Sequence, residues 1–327
     1  MKPIKLAIIG CGIAAHDLHW PALQKLKDKF QITVVCNHTE PKAKSCSEMV
    51  GGVPYVLDYR ELLQRNDVEA VDIILPIHLN FQVTKESLDA GKHVIVEKPL
   101  AANLAQAKKM VDFDKKYPQV KMVAENFRYR TTFFRVKEIM ENGKIGTPYS
   151  VFWNVFFKVD DRNKYALTQW RIHHQYPGGF ITDGGVHNIA ALRYWFGDII
   201  SGNAFTKSVN RAIGELDTMS LQFRTAIGVE GVFNVFFSAN GYSENRIIIL
   251  GDRGSLVIEN NKIILKQTGQ DDHIETIEDD GGYKAELEDF YYAVRNGRRV
   301  VSTFSEAHRD LEIILAALDS AERDKKF

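Results

Sequence analysis

Cysteine is scarce, with three among 327 residues. Cys11, Cys36 and Cys46 are odd in number and form no C-x-x-C spacing, which excludes a disulfide framework and a zinc knuckle and points to a reducing cytoplasm. An excess of charge is also missing, since 42 Lys and Arg balance 42 Asp and Glu. The chain therefore has no net field to hold nucleic acid or an anionic membrane, and the expected partner is a small molecule. No apolar run approaches the roughly 20 residues that span a bilayer. The opening "MKPIKLAIIGCGIAAHDLHW" passes from a short apolar stretch into glycines rather than a small-residue cleavage site, so no signal peptide is expected. His16, His19, His173 and His174 lack cysteine or carboxylate neighbours at metal-ligand spacing, and no metal site is expected.

What is present is a globular balance of 45% hydrophobic and 26% charged residues, in a chain long enough for two domains. Up to about residue 124, β-branched runs ("IKLAIIG", "ITVVCN", "AVDIILP", "HVIVEK", "KMVAEN") alternate with helical patterns ("PALQKLKD", "FQVTKESLDAG", "LAQAKKMVDFDKKY"). That alternation predicts an α/β domain over residues 1–124, a doubly wound parallel sheet with crossover helices. Residues 125–327 have a different texture. "YSVFWNVFFKV", "GVEGVFNVFFSA", "RIIILG", "GSLVIE" and "KIILK" alternate with period two between turn residues, which predicts an α+β domain with a mostly antiparallel sheet. Two helical segments close the chain, "AELEDFYYAVRNG" and "SEAHRDLEIILAALDSAERDKK", the last expected to pack back on the first domain. Several aromatics fall on one strand face, where they either pack under helices or form a subunit interface.

Gly10, Gly12 and Ala15 form G-x-G-x-x-A directly after the first strand and before a helix. With Ile13 and Ala14 between them they make a phosphate cradle. Gly10 permits the turn, Gly12 lets backbone approach a pyrophosphate, and Ala15 keeps helix and strand close. The second strand ends in "VVCNHTEPKAK", with Asn37 where an NAD-preferring site would carry Asp or Glu. With Asn37 in place of a carboxylate there is no repulsion there against a 2′-phosphate, and His38, Thr39, Lys42 and Lys44 can donate to one, so NADP is expected ahead of NAD.

Two further features carry chemistry. Lys98 ends the strand of "AGKHVIVEKPLA" on the carboxyl edge of the sheet, where open α/β folds bind ligands. In "FITDGGVHN", Asp183 and His187 are four apart in an apolar run, so in a helix they share a face, with Gly184 and Gly185 leaving room beside it for substrate.

"GCGIAA", "AGKHVIVEKPL", "GKIGTP" and "GGFITDGGVHNIAALRYWFG" together resemble the Gfo/Idh/MocA oxidoreductases, the group of glucose-fructose oxidoreductase and inositol dehydrogenase. The resemblance covers nearly the whole chain. It implies a Rossmann domain joined to an open-faced sheet that is commonly buried between subunits, hence a homodimer or homotetramer. It makes Glu97, Lys98 and Pro99 an E-K-P element at the nicotinamide, with Lys98–Pro99 a cis peptide, and Asp183 and His187 the acidic and basic side chains of a sugar site. It also brings Trp170 and Arg171 of "QWR", and Tyr129 of "FRYR", to the substrate. This chain departs from the family at "LPIHLN". Leu75, before Pro76, replaces a polar residue and Asn80 replaces the usual histidine at the nicotinamide, while Asn188 and Ala191 follow His187 where relatives carry an Asp.

Oxidising a secondary alcohol with a nicotinamide requires a base for the hydroxyl proton while hydride leaves carbon. An imidazole, with an ordinary pKa of about 6.5, suits that exchange. His187 is then the acid/base, Asp183 orients it or binds a hydroxyl, and Lys98 from the other domain stabilises the alkoxide oxygen. The alternative assigns the proton to a desolvated Lys98 and leaves His187 to position the hydroxyl. The expected activity is an NAD(P)-dependent dehydrogenase or reductase of a sugar, sugar derivative or cyclitol. Two other readings share the cradle: a glycoside hydrolase that retains its dinucleotide, and a non-catalytic dinucleotide-binding regulator. Net NADPH formation separates the first of these from the lead reading, and any turnover eliminates the second.

Overall fold

The computed structural model describes residues 1–160, 162–166 and 168–323. They divide into two compact units, Met1–Asn126 with Tyr283–Arg309, and Phe127–Gly282 with Asp310 onward. Residues 283–309 thus lie with the first unit rather than with the segment that precedes them. Residues 324–326 of the expected closing helix lie outside the described residues.

The first unit is built on a parallel sheet of strands β1 (Ile4–Ile9), β2 (Phe30–Cys36), β3 (Tyr55–Val56), β4 (Ala70–Ile73), β5 (His93–Glu97) and β6 (Lys121–Ala124). Their order is β3-β2-β1-β4-β5-β6, the doubly wound arrangement whose strand order reverses beside β1 and leaves a crevice at the carboxyl ends. Ile4, Leu6, Ala7 and Ile8 are fully buried, as strands covered on both faces require. The helix after the glycine loop contains a π-helical stretch, Ala15–His19, before Trp20–Gln24 continues as α-helix.

The second unit holds an eight-stranded sheet. Its strands are β7 (Pro148–Phe156), β8 (Ile199–Lys207), β9 (Thr218–Thr225), β10 (Glu230–Phe236), β11 (Glu244–Gly251), β12 (Ser255–Glu259), β13 (Lys262–Lys266) and β14 (His273–Thr276). The order β14-β13-β12-β11-β7-β10-β9-β8 is antiparallel throughout except that β10 and β7 run parallel, Phe233 opposite Trp153. The aromatics divide by parity. Trp153 and Phe233 face inward, where Trp153 meets Phe133 at 5.8 Å and Trp195 at 5.9 Å, on the helices Thr131–Glu141 and Gly179–Phe196. Phe152 lies on the opposite, open face, as does the Phe156–Phe236 pair. The inner set bears out the expectation that aromatics pack under helices.

The helix Gly179–Phe196 is apolar nearly all round, and fourteen of its eighteen residues are buried. A helix of that kind belongs in a core. Its two glycines serve the packing. A Cβ on Gly184 would stand 3.0 Å from the Phe237 ring and one on Gly185 3.1 Å from Ile314. This corrects the expectation that they leave space for substrate, since the space is taken by neighbouring side chains of the same unit.

Candidate active site

The glycine loop, the β2 turn and the E-K-P turn all stand at the carboxyl ends of the first unit's strands. Gly10 is dictated by the fold. Its φ is +106°, and a Cβ there would lie 2.0 Å from the Ile74 carbonyl oxygen. Gly12 is not, because a Cβ there would meet nothing within 4 Å. A glycine whose side-chain space is open fits a loop that a pyrophosphate approaches closely, so the cradle of Gly10, Gly12, Ile13, Ala14 and Ala15 suits a dinucleotide. Asn37 shapes the adjoining turn, accepting from the Cys11 amide at 3.2 Å and donating to the Thr39 carbonyl at 3.2 Å. His38, Lys42 and Lys44 are exposed beside it, at the start of the helix Glu40–Met49.

The E-K-P turn follows β5, and its Lys98–Pro99 peptide is cis. Asn80 is fully buried, and its amide nitrogen donates to the Glu97 carbonyl at 2.8 Å and the Pro99 carbonyl at 2.9 Å. That nitrogen is engaged by the turn's backbone, so Asn80 holds the shape of the turn. Leu75 and Pro76 are half-buried nearby, and Leu75 borders the position a Gly10 Cβ would take.

His19, which carries no signal of a site role in the sequence, is held between two carboxylates. It is 2% exposed, with Nδ1 2.8 Å from Asp72 Oδ2 and Nε2 3.0 Å from Glu97 Oε1. Burial opposes the charged ring, but the Asp72 carboxylate, seconded by Glu97, outweighs it and carries the imidazole pKa well above its ordinary value. Glu286, fully buried in the same unit, is pushed well above the carboxylate range, first by burial and then by its acidic neighbours despite His19. In both cases the folded state keeps a proton that the unfolded chain releases. The stabilisation from His19 is complete below about pH 6.5 and is lost as pH rises through the raised value; Glu286 acts with the same sign from lower pH. The thermal midpoint is therefore expected to fall from pH 7 to pH 9, and His19→Gln to flatten that fall; a midpoint equally pH-dependent in the variant would contradict this.

In the second unit Asp183 and His187 stand on the helix Gly179–Phe196, one turn apart. Asp183 is 6% exposed, and a carboxylate so buried needs a cation. It has one in Arg171, whose Nε lies 2.7 Å from Asp183 Oδ2. The short helix Gln169–Ile172 delivers that guanidinium, 4.0 Å over the Trp170 ring and 5.1 Å over Tyr165. The half-buried His187 ring stacks on Phe127, with centroids 4.7 Å apart and planes 22° from parallel. Tyr129, also half-buried, ends the 3₁₀ turn that contains Phe127. Neither Phe127 nor Tyr176 was legible as a site residue. Tyr176 is buried, its hydroxyl has no hydrogen-bond partner among the described residues, and burial and the Asp183 charge push its pKa up. A bare aromatic in a sequence carries no signal of what it lies against.

Two family matches cover most of the chain: the oxidoreductase family's NAD-binding Rossmann fold over residues 4–125, and its C-terminal α/β domain over residues 137–327. Among solved structures, an oxidoreductase from Thermotoga maritima is 36% identical, with a TM-score of 0.93 over 98% of this chain and 97% of that one. Protein YMR315W of Saccharomyces cerevisiae is 33% identical over 79% of this chain and 75% of its own. The myo-inositol 2-dehydrogenase of Thermotoga maritima is 25% identical over 79% and 75%. Among the described residues no helix is long and apolar enough to cross a membrane. The glycine loop, the E-K-P turn and the Asp183–His187 helix thus sit in a chain that belongs to the Gfo/Idh/MocA oxidoreductase family, as an NAD(P)-dependent dehydrogenase.

Proposed function

We propose that the protein oxidises a secondary alcohol of a sugar, sugar derivative or cyclitol, or reduces the matching ketone, with NADP preferred to NAD. The observation that carries this reading is the common edge of Gly12 and Lys98. They follow β1 and β5, which flank β4, so at strand spacing the open glycine and the ammonium-bearing turn are roughly 10 Å apart along one carboxyl edge. The myo-inositol 2-dehydrogenase among the relatives supports the substrate class.

The loop Gly10–Ala15 would hold the pyrophosphate, Asn37, His38, Thr39 and Lys42 the adenosine ribose, and Leu75, Pro76, Asn80 and Glu97–Pro99 the nicotinamide end. A bound nicotinamide supplies the hydride acceptor. Lys98 places positive charge against the substrate oxygen as its proton leaves. His187 takes that proton in oxidation and returns it in reduction. Asp183, fixed by Arg171, accepts from a neighbouring substrate hydroxyl, and Trp170 and Tyr129 border the ring. The stack on Phe127 orients the His187 imidazole. A contact of this type is worth about 0.5–1.5 kcal/mol, so Phe127→Leu is expected to lower kcat by about three- to tenfold at unchanged dinucleotide affinity; unchanged turnover would remove Phe127 from the scheme.

The preference for NADP rests on the absence of a carboxylate at Asn37 and on the exposed Lys42 and Lys44. The outer aromatics Phe152, Phe156 and Phe236 suit self-association through the open sheet face, which a sedimentation measurement reads directly. The function itself is tested by assaying aldoses, ketoses, inositols and sugar phosphates with NADP and with NAD at neutral and alkaline pH. Accumulation of reduced cofactor with a free sugar or polyol is expected, at higher kcat/KM with NADP. Release of an aglycone with no net reduction would instead establish the hydrolase reading.

A further inference from the structure

His19 belongs to the helix that follows the phosphate loop, yet its ring turns into the sheet. The π-helical stretch Ala15–His19 adds a residue to the turn there, and wide turns of this kind recur where a helix must aim a functional side chain. Each ring nitrogen faces a carboxylate oxygen, Nδ1 towards Asp72 after β1's neighbour β4 begins and Nε2 towards Glu97 at the end of β5. Carboxylates only accept, so both contacts are hydrogen bonds when the ring is an imidazolium. The other Glu97 oxygen, Oε2, accepts from the Lys98 backbone amide at 3.0 Å. A continuous chain of contacts therefore runs Asp72, His19, Glu97, Lys98. Glu286, from the helix Tyr283–Asn296, and Glu125, just after β6, add acidic groups that act electrostatically in the same cluster.

We propose that His19 is a positioning residue for Lys98, which it holds by bridging Asp72 and Glu97 as an imidazolium and so fixing the carboxylate that binds the Lys98 amide. This rests on the reading of Lys98 as the group at the reacting oxygen. The reason is electrostatic. Glu97 shares its surroundings with the carboxylates of Asp72 and Glu125, while Glu286 keeps its proton, and like charges at close range favour protonation or displacement of one of them. The cation between Asp72 and Glu97 removes that conflict. Without it the Lys98 amide loses its acceptor and the ammonium its fixed approach, an error that falls on the chemical step more than on binding.

The test uses the NADP-bound protein and the best substrate of the panel. His19→Gln keeps one donor and cannot carry charge. We expect kcat to fall about 10- to 100-fold, KM and NADP affinity to change less than about threefold, and the His19→Gln, Lys98→Ala double variant to be no slower than Lys98→Ala. A kcat within twofold of the parent overturns the proposal. So does a loss that adds fully to that of Lys98→Ala, or that appears equally in KM and NADP affinity, because either marks a merely structural residue. Near-normal turnover in Lys98→Ala alone refutes the role of Lys98 instead, and the proposal falls with it. If His19→Gln does not fold, Glu97→Ala, which takes the acceptor from the Lys98 amide, carries the same expectation for kcat. Nitrogen NMR of the His19 ring at pH 8 reads the bridge without a substrate: two protonated nitrogens support it, and a neutral tautomer overturns it.

Discussion

Lys98→Ala and His187→Ala are each expected to lower kcat at least 10²-fold while leaving dinucleotide affinity within a few-fold of the parent. Removing a group that acts only as charge develops lowers kcat and kcat/KM together, and a general acid/base contributes about 10²–10⁴. The two losses have different origins and therefore different pH signatures. Without His187 the proton must go to water or hydroxide, so turnover of His187→Ala should recover as pH rises. Without Lys98 the developing alkoxide lacks its counter-charge, and alkaline pH restores less. A His187→Ala variant with near-normal turnover would pass the proton to Lys98, the alternative the sequence leaves open. Near-normal turnover in Lys98→Ala would remove the electrostatic role.

Gly12→Val should weaken NADP binding at least 10²-fold while leaving the thermal midpoint within about 2 °C. A Cβ at position 12 meets nothing within 4 Å beyond its chain neighbours, so the fold does not require glycine there, whereas a pyrophosphate on the loop would be displaced. Gly10→Ala gives the opposite pattern. With φ at +106° and the Ile74 carbonyl 2.0 Å from the new Cβ, it should cost about 3 kcal/mol or more of stability through strain and clash. Equilibrium unfolding and dinucleotide titration of the two variants check both statements. A Gly12→Val protein that binds NADP normally would deny the cradle its assigned ligand.

Much of the fold was legible because local period carries it. Runs such as "HVIVEK" and "AVDIILP" can only be buried strands once helices alternate with them. The edge strand β3 was not, since two residues carry no period. Strands β8, β9 and β14 were missed as well: "IISGNAFTK" and "HIET" mix polar residues into both faces, and "TMSLQFRT" alternates but puts Met, Leu, Phe and Thr, not a β-branched run, on its buried face. The parallel pairing of β7 with β10 was hidden for a different reason: alternation tells which face a strand buries but not which strand lies beside it.

The site shows the same division. Asp183 and His187 could be placed on one face from their spacing alone, and the helix Gly179–Phe196 agrees. The Arg171 partner of Asp183 lies twelve positions upstream, and pairing across a turn leaves no periodic trace. His19 was read as one more histidine near the loop, because its carboxylates are 53 and 78 positions away. Gly184 and Gly185 were read for a ligand when Phe237 and Ile314 explain them. Glycine marks a close approach without saying what approaches.

In the proposed reaction hydride passes from a secondary carbinol carbon of the substrate to the bound dinucleotide and stays there. The most direct test is turnover of a polyol deuterated at the reacting carbon, followed by mass analysis of the cofactor. One deuterium in each reduced NADP is expected, with one carbonyl formed for each label transferred. Substrate consumed with the cofactor left oxidised and unlabelled would contradict it.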